Sequence, residues 1–242
     1  MKLCVAQTKP IKGDIQANII HHKKLLDLAI SEKTDMVIFP ELSITGYEPG
    51  LAKELATVID DRRFDDFQTL SNRNNLTIGI GAPVRVDAGI RVGMIIFQPG
   101  RPRELYCKQY LHSDELPFFV NGSDQVFLEQ DNNKTALAIC YEIFVPEHSS
   151  HAIQRGANIY VASVAKTEEG MQQAGKTLSA MAKQHSITVL ISNCVGHCDN
   201  FESGGKSSIW NNEGILVGQL NGTIEGIMVF DNRTGKVVHK SI

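Results

Sequence analysis

Apolar and polar positions along this chain follow two rhythms. Residues 3–7 (LCVAQ), 36–39 (MVIF), 135–139 (TALAI) and 187–193 (ITVLISN) are short, almost unbroken apolar runs. Runs of that length are expected of strands buried on both faces. Between the first two, apolar residues recur at Ile19, Leu26 and Ala29 after Ile15, which is helical spacing, and Gly13-Asp14 supplies a turn and an N-cap. Phe64, Phe67 and Leu70 place a second helix over about 61–74. Two more helices are predicted, from Pro146 to about Arg155 with proline in the first turn, and over 170–185.

The middle of the chain reads differently. LTIGIGAPVRV (76–86) and IRVGMIIFQ (90–98) flank Asp87-Ala88-Gly89, a hairpin signal. RELYCK follows the turn Pro99-Gly100 and ends on Lys108, an irregular stretch covers 109–125, and QVFLEQ precedes the turn Asp131-Asn132-Asn133. ANIYVAS (157–163) is a further strand, and the end is β-rich, with SSIWN, GILVGQ and IEGIMVF separated by Asn- and Gly-containing turns. No linker, low-complexity tract or repeat interrupts this order. Interleaved helices and strands with hairpins predict one layered α/β domain over residues 1–242, with sheets inside and helices outside. So many hairpins exclude a purely parallel sheet.

Composition narrows the function classes. The net charge is −3, which offers no basic footprint for nucleic acid. No apolar run approaches the roughly 20 residues of a membrane span. MKLCVAQTKP turns polar too quickly for a leader and reads as strand, with Cys4 in the core. Five cysteines, an odd number in mostly apolar contexts, point to reduced thiols and a cytoplasmic location. Cys194, His197 and Cys198 lack the second ligand pair of a structural zinc site, so no metal is expected. Gly205-Lys206-Ser207 mimics the end of a phosphate loop, but Asn200 stands where its first glycine belongs.

Three polar residues end apolar strands: Glu41 after MVIFP, Lys108 after ELYC and Cys140 after TALAI. Strand ends carry reactive groups because a rigid sheet positions them. A free thiol has a pKa of about 8.5 and needs a base or a cation beside it. Glu41 can serve as that base if burial raises its pKa, and Lys108 can stabilise a thiolate and a developing oxyanion. An acid, a cation and a thiol suffice for acyl transfer from a C–N bond to sulfur and on to water.

The segments around these residues resemble the nitrilase superfamily of carbon–nitrogen hydrolases, whose catalytic set is Glu-Lys-Cys in that order. FPELSITGYEP resembles the family's general-base segment, YCKQYLHSDELPFF its lysine segment, and AICYEIFVPE its nucleophile segment. RGANIYVASVA, ISNCVG and GGKSSIWNNEGILVG resemble later blocks, so the likeness runs along nearly the whole chain. It implies a four-layer αββα sandwich, with Cys140 as nucleophile, Glu41 as base, Lys108 at the oxyanion and Glu115 as a second acid. It also implies a backbone N–H donor near Tyr141 or Glu142, no cofactor, and a homodimer or higher homo-oligomer. Tyr47, Phe118, Tyr141 and Glu142 flank the trio and are candidate substrate contacts.

Two departures stand out. Many family amidases carry Cys-Tyr-Asp and nitrile-cleaving members Cys-Trp-Glu, so Cys140-Tyr141-Glu142 leans away from nitriles. Lys183 in SAMAKQH stands near a position where relatives carry an acid. The expected activity is cleavage of a small-molecule, non-peptide amide-type bond, with nitrile or N-carbamoyl hydrolysis as the alternative within the superfamily. Specificity is expected in loops 42–60 and 109–125 and in residues 163–172. Two rival readings are a Cys-His dyad using His148 or His151, which otherwise read as surface residues, and a catalytically silent sandwich acting as a binding module.

Overall fold

A computed structural model describes all residues from Met1 to Ile242. Its first half contains β1 (Lys2–Gln7), α1 (Ile15–Ser31), β2 (Met36–Ile38), α2 (Ala52–Leu55), α3 (Asp65–Asn74), β3 (Thr77–Val86), β4 (Gly89–Phe97) and β5 (Glu104–Cys107). There follow β6 (Phe127–Gln130), β7 (Asn133–Ile139), α4 (Pro146–Gln154), β8 (Ile159–Ser163), α5 (Glu168–His185) and β9 (Thr188–Ser192). The chain ends with β10 (Val195–Cys198), β11 (Phe201–Gly204), β12 (Ser208–Trp210), β13 (Leu216–Gln219), β14 (Gly226–Asp231) and β15 (Val237–Ser241).

These strands build a seven-stranded sheet, β15-β14-β1-β2-β3-β4-β5, and a six-stranded sheet, β13-β12-β9-β8-β7-β6. Each sheet has a parallel centre, β1-β2-β3 in one and β7-β8-β9 in the other, with antiparallel strands outside it. The buried strands show why four layers form. In β1, Leu3 and Val5 face a central core shared with Leu137 and Ile139 of β7 and Val161 of β8. Their alternates turn outward: Cys4 and Ala6 pack with Ile19, Leu26 and Phe67 of the helices on one side. Ala136, Ala138 and Tyr160 pack with Met171, Ala174 and Leu178 of α5 on the other. A period of two therefore sends successive apolar side chains into different layers, and the result is the αββα sandwich. Each fully buried aliphatic or aromatic side chain contributes about 1.5–3 kcal/mol by leaving water.

Most expected elements are present, including the Asp14 cap, whose carboxylate accepts from Ala17 N at 3.0 Å. The β10–β11 hairpin and β15 are not evident from periodicity. VGHC and FESG mix small, polar and charged residues, and β15 is a half-exposed edge strand defined by its pairing with β14. No helix is long and apolar enough to cross a membrane.

The carboxyl ends of the two parallel centres are stitched together across the central core. Ser163 Oγ donates to Phe39 O at 2.8 Å and Ser192 Oγ donates to Ala6 O at 2.6 Å. This brings the end of β8 against the end of β2, and the residues just beyond those strands meet there.

Candidate active site

Glu41 lies three residues beyond β2, in a turn pressed onto β3. Ile44 N donates to Gly81 O at 3.0 Å, and a Cβ on Gly81 would lie 2.3 Å from Pro40 O and 2.4 Å from Leu42 N. Only glycine allows that approach. Lys108 follows β5 directly, and its neighbour across the loop is Gly122, whose N–H donates to Lys108 O at 2.7 Å. A Cβ there would meet Cys107 O at 2.3 Å. Two glycines thus seat the two strand ends that deliver Glu41 and Lys108.

The side chains converge in the interior. Lys108 Nζ donates to Glu41 Oε1 at 2.8 Å and to Glu115 Oε1 at 2.7 Å. Glu115 is held in turn by Tyr47 OH at 3.1 Å and by the backbone N–H of His112 at 2.7 Å. All three charged side chains are fully buried. An ammonium has three N–H donors, so two carboxylates leave one for a further acceptor. Glu41 Oε2 is buried with no hydrogen-bond partner, and the Cys140 thiol is among the groups that act on its carboxyl.

Cys140 has φ +47°, a left-handed conformation rare for a side chain with a Cβ, and it opens a 3₁₀ turn over Cys140–Phe144. The N–H groups that open such a turn have no carbonyl partner within it. Tyr141 N, in the first residues of this turn, is one of those donors. This turn is fastened from below by Glu142. Its carboxylate accepts from Ile139 N at 2.6 Å, Gln109 N at 2.5 Å and Tyr106 OH at 2.6 Å. The carboxylate thereby ties the Cys140 turn to the Lys108 segment.

Behind Glu142 lies His148, which the sequence places on the surface. The structure corrects that reading: His148 is 1% exposed, between Tyr106 OH and Tyr160 OH at 2.9 Å each. Tyr106 gives its proton to Glu142, so its oxygen accepts from His148 Nε2, and Nδ1 accepts from Tyr160. Burial holds His148 down to about 4, which makes its 3.7 Å approach to Glu142 a contact of a neutral ring. Burial also pushes Glu142 up to about 7, against the pull of its donors.

Electrostatics at the centre follow from burial and shared partners. Burial raises Glu41 above the ordinary carboxylate range; Lys108 opposes the shift but is shared with Glu115. Burial works against the Lys108 ammonium, yet Glu41 and its neighbours outweigh it and hold the charge firmly. Burial, reinforced by the charge of Glu41, pushes the Cys140 thiol up to about 11, so the resting group is a neutral thiol.

The thiol and Lys108 open into one cavity of about 570 Å³, with Tyr47, Glu115, Tyr141, Phe144, Lys166 and Phe201 among its walls. Two candidate substrate contacts, Tyr47 and Tyr141, line it. The other two do not. Glu142 is turned beneath the turn and spent on the bonds described above. Phe118 lines a separate cavity of about 540 Å³ with Leu116 and Ile90, because its loop segment faces the other way. Phe144, Gln173 and Phe201 were absent from the candidates, whereas Lys166 falls within residues 163–172, where specificity was expected. Lys166 carries the same signal as the trio, a polar residue just past an apolar strand, whereas Phe201 comes from the unforeseen hairpin.

Comparison with known proteins identifies the family. The chain belongs to the carbon-nitrogen hydrolase family, whose model matches residues 2–236. That family is the nitrilase superfamily. An amidase from Nesterenkonia sp. AN1 shares the fold with a TM-score of 0.86 at 20% identity, over 96% of this chain and 92% of that one. The 2-oxoglutaramate amidase of Bacillus subtilis is 27% identical over 202 residues, 82% of this chain and 78% of that protein. The glutamine-dependent NAD(+) synthetase of Aquifex aeolicus is 23% identical over 256 residues, all of this chain, which spans 44% of the synthetase's length.

Proposed function

We infer that the protein is a thiol hydrolase that cleaves the amide-type bond of a small molecule through an acyl-enzyme on Cys140. One observation carries this reading: a thiol on a left-handed turn opens into the same cavity as a buried lysine bracketed by two carboxylates. Cys140 Sγ attacks the carbonyl carbon while its proton passes to the unpartnered oxygen of Glu41. The oxygen of the substrate becomes an oxyanion held by the remaining N–H of Lys108 and by Tyr141 N. Collapse breaks the C–N bond as Glu41 returns the proton to nitrogen, and ammonia or an amine departs. Water, deprotonated by Glu41, then attacks the thioester and releases the carboxylic acid and the thiol.

A neutral resting thiol and a carboxyl held above its ordinary range suit this exchange, because a stronger base is better able to take the proton of the thiol. In a glutamate-to-leucine mutant of the Nesterenkonia amidase, the acetamide moiety of fluoroacetamide is covalently added at the active-site cysteine. The rival Cys-His dyad lacks a histidine, since His148 is occupied on both nitrogens and His151 is an exposed partner of Gln125. The test is ammonia release from a panel of short aliphatic amides, dicarboxylic monoamides, N-carbamoyl compounds and nitriles. Cys140→Ala should lower turnover at least about 10⁴-fold with an unchanged circular-dichroism spectrum. Turnover retained in that variant overturns the reading.

A further inference from the structure

Lys166 is a cation to which the reaction above assigns no step, although its charge bears on the Cys140 thiolate. It lies three residues beyond the end of β8, and it lines the cavity that holds the thiol. Its ammonium rests over the Phe144 ring, 4.8 Å from the centroid, and forms no hydrogen bond or ion pair with any group of the chain. The acid nearest in kind, Asp114 on the rim, is engaged by His112 at 2.5 Å. The backbone of Lys166 is fixed: its N–H donates to Asn193 Oδ1 at 2.9 Å. Its carbonyl accepts from Asn193 Nδ2 at 3.0 Å, Ser203 Oγ at 3.0 Å and Gly204 N at 2.9 Å. A long, flexible cation so anchored at its root, stacked on an aromatic ring and left without an anion is prepared for one.

We propose that Lys166 binds a carboxylate at the far end of the substrate, so that the preferred substrates are short monoamides of dicarboxylic acids. This rests on the hydrolase reading above and names the substrate class of the same site. Charge fixes the orientation. At the floor, two carboxylates share one ammonium, so a substrate carboxylate is repelled from Cys140 and attracted to Lys166. The neutral amide is left to face the thiol. The aromatic walls Tyr47, Tyr141 and Phe201 then flank the short chain between the two ends. Hydrolysis consumes the amide and water and yields ammonia and a dicarboxylate.

The experiment compares kcat/KM for two series of equal length, terminal monoamides of four- and five-carbon dicarboxylic acids and the matching neutral amides with a terminal methyl. Wild-type protein should prefer the carboxylated series. Lys166→Met, which keeps the packing on Phe144 and removes the charge, should lower that preference roughly 10- to 100-fold, the loss of one charge-assisted hydrogen bond, chiefly through KM. Lys166→Arg should restore most of it. Neutral amides cleaved as well as carboxylated ones by the wild type overturn the assignment and leave the hydrolase reading standing. An equal fall in both series, with a changed pH dependence of Cys140 alkylation by iodoacetamide, also overturns it and assigns Lys166 to tuning the thiol. Ammonia from neither series nor any other member of the wider panel overturns both readings.

Discussion

Lys108 and Lys166 both stand just past an apolar strand and both line the cavity of Cys140, yet their surroundings are opposite. Lys108 is buried without exposed surface and carries two carboxylates within 2.8 Å. Lys166 is half-buried and lies against a ring. A buried ion pair contributes little net stability, because desolvation offsets attraction, but removing one partner strands the other. Lys108 is therefore locked in charge and place, while the wall cation has no anion within the chain to hold it. The same residue type serves chemistry where its charge is already answered and recognition where it is not.

Breaking the floor should have the largest effect. Glu41→Gln removes the base and should lower kcat about 10²–10⁴-fold, a size typical of general acid–base catalysis. Because burial raises Glu41, wild-type kcat/KM should be lost as pH falls through a value above the ordinary carboxylate range, and the variant should lack that limb. A limb at or below about pH 4.3, the value for a free glutamate, contradicts the buried base.

Next comes Lys108→Met, which leaves Glu41 and Glu115 buried without a cation. Urea unfolding should show a loss of about 3–5 kcal/mol. The loss should be larger at pH 8 than at pH 5, since an unpaired buried carboxyl is tolerated only when protonated. A variant as stable as wild type at both pH values would show that the floor is not a coupled cluster.

The smallest effect belongs to the support beneath both. Glu142→Gln deprives Ile139 N or Gln109 N of its acceptor and should cost about 1–3 kcal/mol of stability. Turnover should fall through kcat rather than KM, because the side chain touches the nucleophile turn and not the cavity. A rise in KM alone sharpens the comparison the other way, toward a role for Glu142 in binding.

Much of this was readable in the residues. Glu41, Lys108 and Cys140 end apolar strands, and Glu115 follows Lys108 in the same segment, so local pattern and family likeness point to all four. The contacts that distinguish Glu142 from a pocket residue, and His148 from a surface one, are long-range in sequence: Tyr106, Gln109 and Tyr160 reach them across the two sheets. Periodicity along one helix cannot show that its polar residue faces a buried tyrosine pair. Phe118 illustrates the reverse: a residue three positions from Glu115 opens into a different cavity because the loop reverses between them.

The sequence alone determined the alternation that sorts side chains into four layers, because a strand's period of two acts locally on every residue. It also determined the chemistry available at strand ends, since an acid, a cation and a thiol keep their intrinsic reactivity wherever they stand. Which of those groups meet was decided only by the tertiary structure. The serine bonds that join the ends of β8 and β2, and β9 and β1, belong to no single element. Burial then raised both Glu41 and Cys140 above their ordinary ranges, because the cost of charge depends on what surrounds a group and not on what precedes it in the chain.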